Sequence, residues 1–306
     1  MTEAPGAHGL GPHVVGTRVV VRRLVPGEEG PSGGPAMTDV LGTCLRWGDG
    51  ECVVQPEDGP AVTIPVALIV AGKPVPPRAS VRRRTSAREI EQHGFALWPG
   101  LETETLGQWV LRAAPPPADG RRRRRANSVL ALGDPGLEPA EALRRVVAFY
   151  EARDQPALAM VVAGSAEETT LASQGWSGEG LPTAHAMVAP LARAARAAHD
   201  ATPEHESEPG VVADDGVRVE LRLGDRARGR AALDGDWLGL HDVEVDPGRR
   251  RGGLGTAVVA GLLGWGAERG ATSAWLHVET DNRGAIALYE GLGFEVHHTY
   301  RYLAPT

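Results

Sequence analysis

The chain contains very little lysine and no long hydrophobic run. Lys73 is the single lysine among 306 residues, and proline follows it, so the Gly-Lys-Ser/Thr ending of a P-loop is excluded. Because no apolar run approaches the roughly 18 residues of a membrane helix, we expect no membrane partner. The segment Met1–Pro12 lacks the basic start and apolar core of a signal peptide, which indicates a cytoplasmic location.

Cysteine is also scarce, and basic residues are fewer than acidic ones. Cys44 and Cys52 have no other metal-type side chains beside them in the sequence, which predicts reduced thiols rather than a disulfide or a metal site. Lysine and arginine together number 32 against 39 acidic residues, a formal net charge of −7. This balance argues against binding of nucleic acid by the chain as a whole. The length allows about two domains.

What the chain does contain is a glycine- and arginine-rich turn, Val245-Asp-Pro-Gly-Arg-Arg-Arg-Gly-Gly-Leu-Gly255. A β-like run, Trp237–Val245, leads into this turn, and a helix-like run from about Gly253 to Arg269 leads out of it. Glycine lets the backbone pass close to a ligand, and the first N–H groups of a helix have no partner within it. The turn therefore predicts a phosphate or diphosphate site at the start of a helix.

Two spaced motifs indicate which diphosphate ligand is bound. The dinucleotide fingerprint G-x-G-x-x-G is absent, because Gly253-Leu-Gly255-Thr-Ala-Val258 has no third glycine. The turn reads instead Arg250-x-x-Gly253-x-Gly255, and it is followed by Asn282-x-x-Ala285-x-x-Leu288-Tyr289 and Gly293-Phe294. In this order the motifs resemble those of the GCN5-related N-acetyltransferase (GNAT) family. The resemblance implies acetyl-CoA as co-substrate, no metal, and transfer of an acetyl group to a primary amine.

Strand, helix and linker signals divide the chain into five segments. Short β-like runs separated by Gly-rich turns predict a small five-stranded barrel at the start of the chain. With the phrases Val70–Pro77, Glu102–Trp109 and Arg125–Ser128, the chain resembles a group of actinobacterial proteins in which an SH3-like domain precedes a GNAT domain. The expected fold class is α+β: an SH3-like β-barrel, then a mixed, splayed GNAT-type β-sheet flanked by helices. The segments are 14–73 (barrel), 74–85 (proline-rich linker), 86–192 (a degenerate GNAT-like half), 193–210 (acidic linker) and 211–306 (acetyl-CoA-binding catalytic domain).

The resemblance places the donor in a gap between two parting strands. The backbone groups of Val243 and Val245 are expected to bond the pantetheine amides, with one N–H facing the thioester oxygen. Asn282 is expected to bond the cofactor from the start of its helix, where it also suits a helix cap. The expected diphosphate-binding residues are Arg250, Arg251, Gly252, Gly253, Leu254, Gly255 and Thr256.

A tyrosine acid and two candidate bases complete the expected chemistry. By resemblance, the hydroxyl of Tyr289 contacts the cofactor and protonates the leaving thiolate; the alternative is a buried packing tyrosine. Strand alternation puts His241 on the side of Val243 and Val245, and an imidazole titrates near neutrality, so His241 is the first candidate base. Glu279, which ends the neighbouring strand, is the second candidate.

Two further groups of polar residues have open roles. The run Arg121–Arg125 follows three prolines and is expected to form a solvated loop. Contact with the 3′-phosphate of CoA, an acidic acceptor or nucleic acid is the alternative. On the last strand, His297, His298, Tyr300 and Tyr302 are expected to lie at the surface, and the alternative is that they line an acceptor site.

The acceptor stays open at this point, because proteins with this architecture are labelled histone-acetyltransferase-like or N-acetylglutamate-synthase-like. We expect a small-molecule amine, such as glutamate or another amino acid. A peptide amine, as in a protein lysine acetyltransferase, is the alternative. Two other classes are a CoA-binding regulator without catalysis and a nucleic-acid-associated module. The sequence gives neither the oligomeric state nor the acyl-chain preference.

Overall fold

A computed structural model describes residues 9–29, 33–56, 59–75, 85–116, 120, 123–203 and 209–306. The chain divides into two compact units, Met1–Ala79 and Ser80–Thr306. In the described residues, no helix is long and apolar enough to cross a membrane.

The N-terminal unit is a five-stranded antiparallel sheet in the order β4-β3-β2-β1-β5. Its strands are β1 (Arg18–Glu29), β2 (Pro35–Gly48), β3 (Glu51–Pro56), β4 (Val62–Pro65) and β5 (Ile69–Pro74). Alternate residues of β1, Val19 and Val21, point into a small core that also contains the free thiols Cys44 and Cys52. This period of two, with one buried face, is what a half-buried strand requires.

The expected closed barrel is wrong, although its five strands are present. Strands β4 and β5 stand at the two ends of the order, and no pairing joins them among the residues described. Strand β4 has only four residues and ends at Pro65, which has no N–H to donate. A 3₁₀ turn, Val66–Leu68, follows immediately and turns the chain into β5. The result is an open sheet.

The C-terminal unit is built on one large mixed sheet with helices packed against it. Its strands are β6 (Glu102–Leu106), β7 (Trp109–Ala113), β8 (Val129–Leu130), β9 (Ala159–Val162), β10 (Trp176–Ser177), β11 (Thr183–Pro190), β12 (Gly210–Asp214), β13 (Arg218–Leu223), β14 (Ala227–Asp234), β15 (Trp237–Val245), β16 (Ser273–Glu279) and β17 (Glu295–Pro305). Its helices are α1 (Ala87–His93), α2 (Pro139–Glu151), α3 (Ala166–Ser173), α4 (Leu191–Ala201), α5 (Leu254–Glu268) and α6 (Arg283–Gly291).

The strand order joins both halves of this unit in one sheet. The order is β12-β13-β14-β15-β16-β11-β17-β9-β8-β7-β6, and β10 pairs beside it with β17. Strand β11 comes early in the sequence but lies between β16 and β17, which come from the end of the chain. Neighbours are antiparallel except for two parallel pairs, β8 with β9 and β15 with β16. The mixed sheet expected from the sequence is therefore confirmed.

Helix α5 anchors the part of the sheet that carries the glycine-rich turn. Leu254, Val258, Leu262 and Trp265 recur at helical spacing, and each is at most 6% exposed. They pack in one core with residues of strands β13 to β15 and of helix α4. The helix is thus fixed to the sheet along its whole length, and its N-terminus is held at the end of β15.

Candidate active site

Strands β15 and β16 run together and then part. They pair in parallel from Trp237 with Ser273 to Leu240 with Leu276. Strand β15 nevertheless continues to Val245 and β16 to Glu279. Beyond Leu240, β15 pairs only with β14 on its other side. The splay expected from the sequence is present, and it leaves one backbone edge of residues 241–245 facing a gap.

A β-bulge at Asp242 produces this divergence. His241 pairs with Arg230 and Glu244 with Arg228, so two residues of β15 stand opposite the single Gly229. Asp242 has a φ of 49°, a left-handed conformation that is uncommon outside glycine. A bulge bends its strand and interrupts alternation.

The bulge corrects the expected placement of His241. Val243 and Val245 pack against the core under helix α5, whereas His241 contacts Trp98 in a T-shaped arrangement with ring centroids 5.3 Å apart. His241 therefore does not share a side with the two valines. Simple alternation gave the wrong side because the bulge adds one residue to the strand, so the side chains after it point to the opposite face from the one expected.

The turn before α5 offers a row of backbone donors without acceptors. Arg251 and Gly253 have φ values of 66° and 84°, and no side chain caps the helix. The first intrahelical bond is donated by Ala257 to Gly253. Among the residues described, no acceptor is found for the backbone N–H groups of residues 250–256. This geometry, next to the positive end of a helix dipole, fits a diphosphate.

Strand β15, helix α5 and helix α6 meet at this turn. A Cβ placed on Gly255 would lie 3.5 Å from Val245 and 3.9 Å from Leu288. At the start of α6, the side-chain oxygen of Asn282 accepts a bond of 3.2 Å from the N–H of Ala285. The cap role of Asn282 is therefore occupied by its oxygen, and its amide nitrogen remains available.

Tyr289 lies on α6 at the edge of the same core. It is 7% exposed and packs edge-to-face on Phe294, with ring centroids 5.7 Å apart. Burial raises the pKa of its hydroxyl to about 12. The phenol therefore stays protonated at neutral pH, which is the form that a proton donor needs.

His241 and Asp242 are neighbours at the bulge and differ in charge: the imidazole is neutral and the carboxylate is ionised. Burial lowers the pKa of His241 below its ordinary value, so the ring is neutral at pH 7. Its Nδ1 atom has no hydrogen-bond partner in the described part of the chain, and the nearest Asp242 oxygen is 3.7 Å away. The His241 ring and the guanidinium groups of Arg123 and Arg230 hold the pKa of Asp242 well below its usual range.

Two cavities open beside the bulge. The smaller has a volume of about 130 Å³, and the larger about 840 Å³. Both are lined by Trp98, Arg123 and Asp242. His241 lines only the larger one, and Glu279 only the smaller one. The two candidate bases thus approach the bulge from different cavities.

The expectation of a solvated arginine loop is wrong for Arg123 and Arg125, whereas Arg124 is exposed as expected. Arg121 and Arg122 lie outside the described residues, but Arg123, Arg124 and Arg125 line the smaller cavity. Arg123 lies 3.5 Å from Asp242 and is 18% exposed. Arg125 donates from Nε to the hydroxyl of Tyr300 over 2.7 Å. The loop is drawn inward because the side chain of Asn127 bonds to both flanking backbone segments.

The tyrosines of the last strand are also buried rather than at the surface. Tyr300 and Tyr302 are 1% and 3% exposed, and both line the smaller cavity. Strand β17 is covered because β11 and β9 pair with its two edges and α1 lies across one face. The expected surface position is therefore wrong, and the alternative of a cavity lining holds for these two residues.

A buried carboxylate and three histidines form a hydrogen-bonded network beside Tyr300. Glu91 on α1 accepts hydrogen bonds from His277 over 2.8 Å and from His298 over 3.0 Å. His297 bonds to His298 and donates to the carbonyl oxygen of Thr85. Burial opposes ionisation of Glu91, but the neighbouring His277 and His298 outweigh it and hold its pKa well below the usual range. The sequence did not point to Glu91, because its partners lie about two hundred residues away.

Comparison with known proteins decides the family. The family described as "Probable histone acetyltransferase Rv0428c C-terminal" matches residues 85–303, and "Rv0428c N-terminal Sm-like domain" matches residues 13–73. The chain belongs to the GNAT family. It is a GNAT-type N-acetyltransferase with an N-terminal Sm-like domain, which agrees with the open five-stranded sheet seen here.

Other GNAT proteins are similar over different lengths. A protein named "Probable histone acetyltransferase Rv0428c" from Mycobacterium tuberculosis is 31% identical, over 94% of this chain and 95% of its own. The ribosomal protein bS18-alanine N-acetyltransferase of Escherichia coli K12 is 42% identical over 71 residues, which are 23% of this chain and 48% of that one. A GCN5-related N-acetyltransferase from Kribbella flavida has the same fold, with a TM-score of 0.51 and 18% identity over 72% of this chain and 95% of its own.

Proposed function

We propose that this GNAT enzyme transfers an acetyl group from acetyl-CoA to the primary amine of a small acceptor, an amino acid such as glutamate. Attack is direct, with donor and acceptor bound together. The observation that carries the proposal is the parting of β15 and β16 beside an uncapped helix, with a small charged cavity next to the gap.

The donor is bound by backbone more than by side chains. The free N–H groups of residues 251–256 bind the diphosphate, and the exposed side chains of Arg250 and Arg251 add charge. The unpaired edge at Val243 and Val245 bonds the pantetheine amides. Asn282 contacts the cofactor through its amide nitrogen. When bound, acetyl-CoA supplies the thioester whose acetyl group is transferred.

The reaction forms one bond and breaks one. The amine nitrogen bonds to the acetyl carbon, the carbon–sulfur bond breaks, and the electron pair leaves with the sulfur. The amine loses a proton to a base of the enzyme, and the thiolate takes a proton from the hydroxyl of Tyr289. Both proton transfers occur at groups that start in the required form, a neutral base and a protonated phenol.

His241 is the proposed base, and Glu279 is the second candidate. His241 is neutral near pH 7 and lies at the bulge, in the wall of the larger cavity; it takes the proton of an amine in the smaller cavity through one intervening water. Glu279 ends β16 on the other side of the gap and is exposed to solvent, so it suits a proton relay through water. Asp242 is held as an anion by two arginines, which makes it a poor proton acceptor.

The cavity beside the gap favours a small acceptor. Its volume of about 130 Å³ is too small for an extended peptide, and its walls carry both acidic and basic groups. A protein acceptor is the second candidate, since two relatives are named for a histone and for a ribosomal protein. The larger cavity of about 840 Å³ gives room for a peptide amine.

A thiol-release assay tests the proposal. Acetyl-CoA is offered with glutamate, other amino acids, polyamines and basic peptides, and free CoA is measured with a thiol reagent. We expect release with one or more amino acids, at a rate well above the background without amine. Release only with peptides would support the protein acceptor, and acetyl-CoA binding without any release would indicate a regulator.

A further inference from the structure

We propose that Arg125 forms a subsite for a carboxylate of the acceptor, so that this one residue determines specificity for amino acids over simple amines. The inference rests on the proposed function and states which group the acceptor must carry. It comes from the surroundings of the Arg125 guanidinium, which differ from those of the other arginines at the site.

One nitrogen of the Arg125 guanidinium donates a hydrogen bond within the described residues, and the other two do not. Its Nε donates to the Tyr300 hydroxyl over 2.7 Å. Its two Nη atoms have no hydrogen-bond partner in the described part of the chain, and neither is fully shielded from solvent. Since Arg125 lines the smaller cavity, these donors are presented to whatever occupies it. A planar guanidinium with two free donors matches a carboxylate in a bidentate manner.

The neighbouring arginines are already paired with acidic residues. Arg123 lies 3.5 Å from Asp242, and Arg230 lies 3.2 Å from the same carboxylate and 2.7 Å from Glu220. Arg125 has no acidic side chain within salt-bridge distance among the described residues. A half-buried cation without a counter-ion is costly. An acceptor carboxylate removes that cost when it binds.

Tyr300 and the buried residues packed against it fix the orientation of the Arg125 guanidinium. Tyr300 is 1% exposed, and its ring packs edge-on against His277 with centroids 4.7 Å apart. His277 is in turn bonded to the buried Glu91. Because neither ring can move without breaking this network, the hydroxyl of Tyr300 holds the guanidinium in one orientation. Tyr300 is therefore a positioning residue for Arg125.

The same cavity offers a place for the amine. Asp242 is already paired with Arg123 and Arg230, but Glu279 lines the cavity together with Arg125 and has no ion pair among the described residues. Acidic groups attract an ammonium and a guanidinium attracts a carboxylate, so the cavity recognises a molecule that carries both charges. A polyamine lacks the carboxylate, and a lysine side chain within a protein carries its amine far from any carboxylate. The geometry thus points to free amino acids.

The experiment compares acids with their amides. Steady-state kinetics use acetyl-CoA with L-glutamate, with isoglutamine and glutamine (its two carboxamides) and with spermidine; any other amino acid active in the thiol-release assay is compared with its own carboxamide. In Arg125→Gln, we expect kcat/KM for the acid to fall about 10- to 100-fold. One of the two carboxamides lacks the carboxylate that Arg125 recognises, and for this substrate kcat/KM should fall less than twofold. The KM for acetyl-CoA should stay within twofold.

Control variants separate recognition from folding. Arg144→Gln, on the exposed face of α2, should leave all these values unchanged. Tyr300→Phe should weaken the preference for acid over amide, and Arg125→Lys should keep part of it, so they carry the test if Arg125→Gln does not fold. Equal losses for acid and amide would overturn the subsite. Turnover of spermidine or peptides alone would overturn it while the acetyltransferase proposal stands; no thiol release with any amine would overturn both.

Discussion

Leu240 and Leu276 form the last residue pair between β15 and β16, although both strands continue past it. Two residues further on, Asp242 adopts a left-handed conformation and bends β15 away. The bulge needs room on the opposite strand, and Gly229 supplies it because it has no side chain between Val243 and helix α5. The gap is therefore built from a glycine, a bulge and the end of one strand pair.

Substitution of Gly229 should close or distort the gap. A Cβ at this position would lie 2.6 Å from Val258 and 3.0 Å from Leu262, both in the core under α5. Gly229→Ala should therefore destabilise the protein by about 1–3 kcal/mol. It should also weaken acetyl-CoA binding, because Val258 and Leu262 must shift on the helix that begins at the diphosphate site. Urea unfolding and calorimetric titration measure the two effects.

Gly264→Ala is the matched control for this change. Gly264 lies inside α5, and a Cβ there would meet no atom within 4 Å. Alanine is favoured over glycine in a helix by about 1 kcal/mol, so this variant should be at least as stable as the wild type. If Gly229→Ala and Gly264→Ala had the same stability and affinity, the bulge would not depend on Gly229.

Loss of the Tyr289 hydroxyl should slow the reaction without loosening the donor. The pKa of this phenol is raised to about 12 by burial, so it holds its proton until a thiolate forms. In Tyr289→Phe, kcat should fall about 100-fold or more. KM for acetyl-CoA and the unfolding midpoint should change little, since the ring still packs on Phe294. An unchanged kcat would remove the general-acid role and leave a packing residue.

The pH dependence of kcat should report His241. Its pKa is lowered by burial, so protonation inactivates it only below its ordinary value of about 6.5. The wild-type rate should be flat through pH 7 and fall on the acidic side. His241→Gln should lower the rate about 100-fold and remove this acidic limb.

Glu279→Gln provides the comparison, because it alters the second candidate base without touching the bulge. If this variant lost the acidic limb and His241→Gln kept it, the proton would go to Glu279. A rate and pH profile unchanged in both variants would exclude both residues as the base.

Removal of the charge on Glu91 should destabilise the fold. His277 and His298 would each lose a hydrogen bond to a charged acceptor in a buried site, at a cost of about 1.5–3 kcal/mol. Since the folded pKa of Glu91 is depressed, its contribution is present above the unfolded value of about 4.3 and is lost as the pH falls below it. Denaturant titrations at pH 7 should therefore show the full difference between Glu91→Gln and the wild type. The exposed Glu104→Gln should stay within about 0.5 kcal/mol of the wild type.

Local patterns predicted the parts of the fold that depend on neighbouring residues. The glycines and arginines of the turn, and the helical spacing of Leu254, Val258, Leu262 and Trp265, indicated where α5 begins and which face it buries. The family motifs then implied the splayed sheet, which the pairing of β15 and β16 confirms.

The rest depends on contacts that no local pattern encodes. The bulge at Asp242 lies opposite Gly229 on the neighbouring strand, so alternation along β15 alone misplaced His241. Arg125 and Tyr300 are 175 residues apart in sequence, and a run of arginines usually indicates a solvated loop. The hint in the sequence was Asn127, two residues after Arg125, whose side chain turns the loop inward.

A titration of isotopically labelled protein with acetyl-CoA, followed by amide NMR, shows whether the turn before α5 and the unpaired edge of β15 bind one donor molecule. The amides of residues 251–256 and of Val243 and Val245 should shift together in one saturable process. Acetyl-pantetheine, which lacks the diphosphate, should move only the second group. Saturation with no change at residues 251–256, or no binding at all, would show that this turn and strand edge are not the acetyl-CoA site.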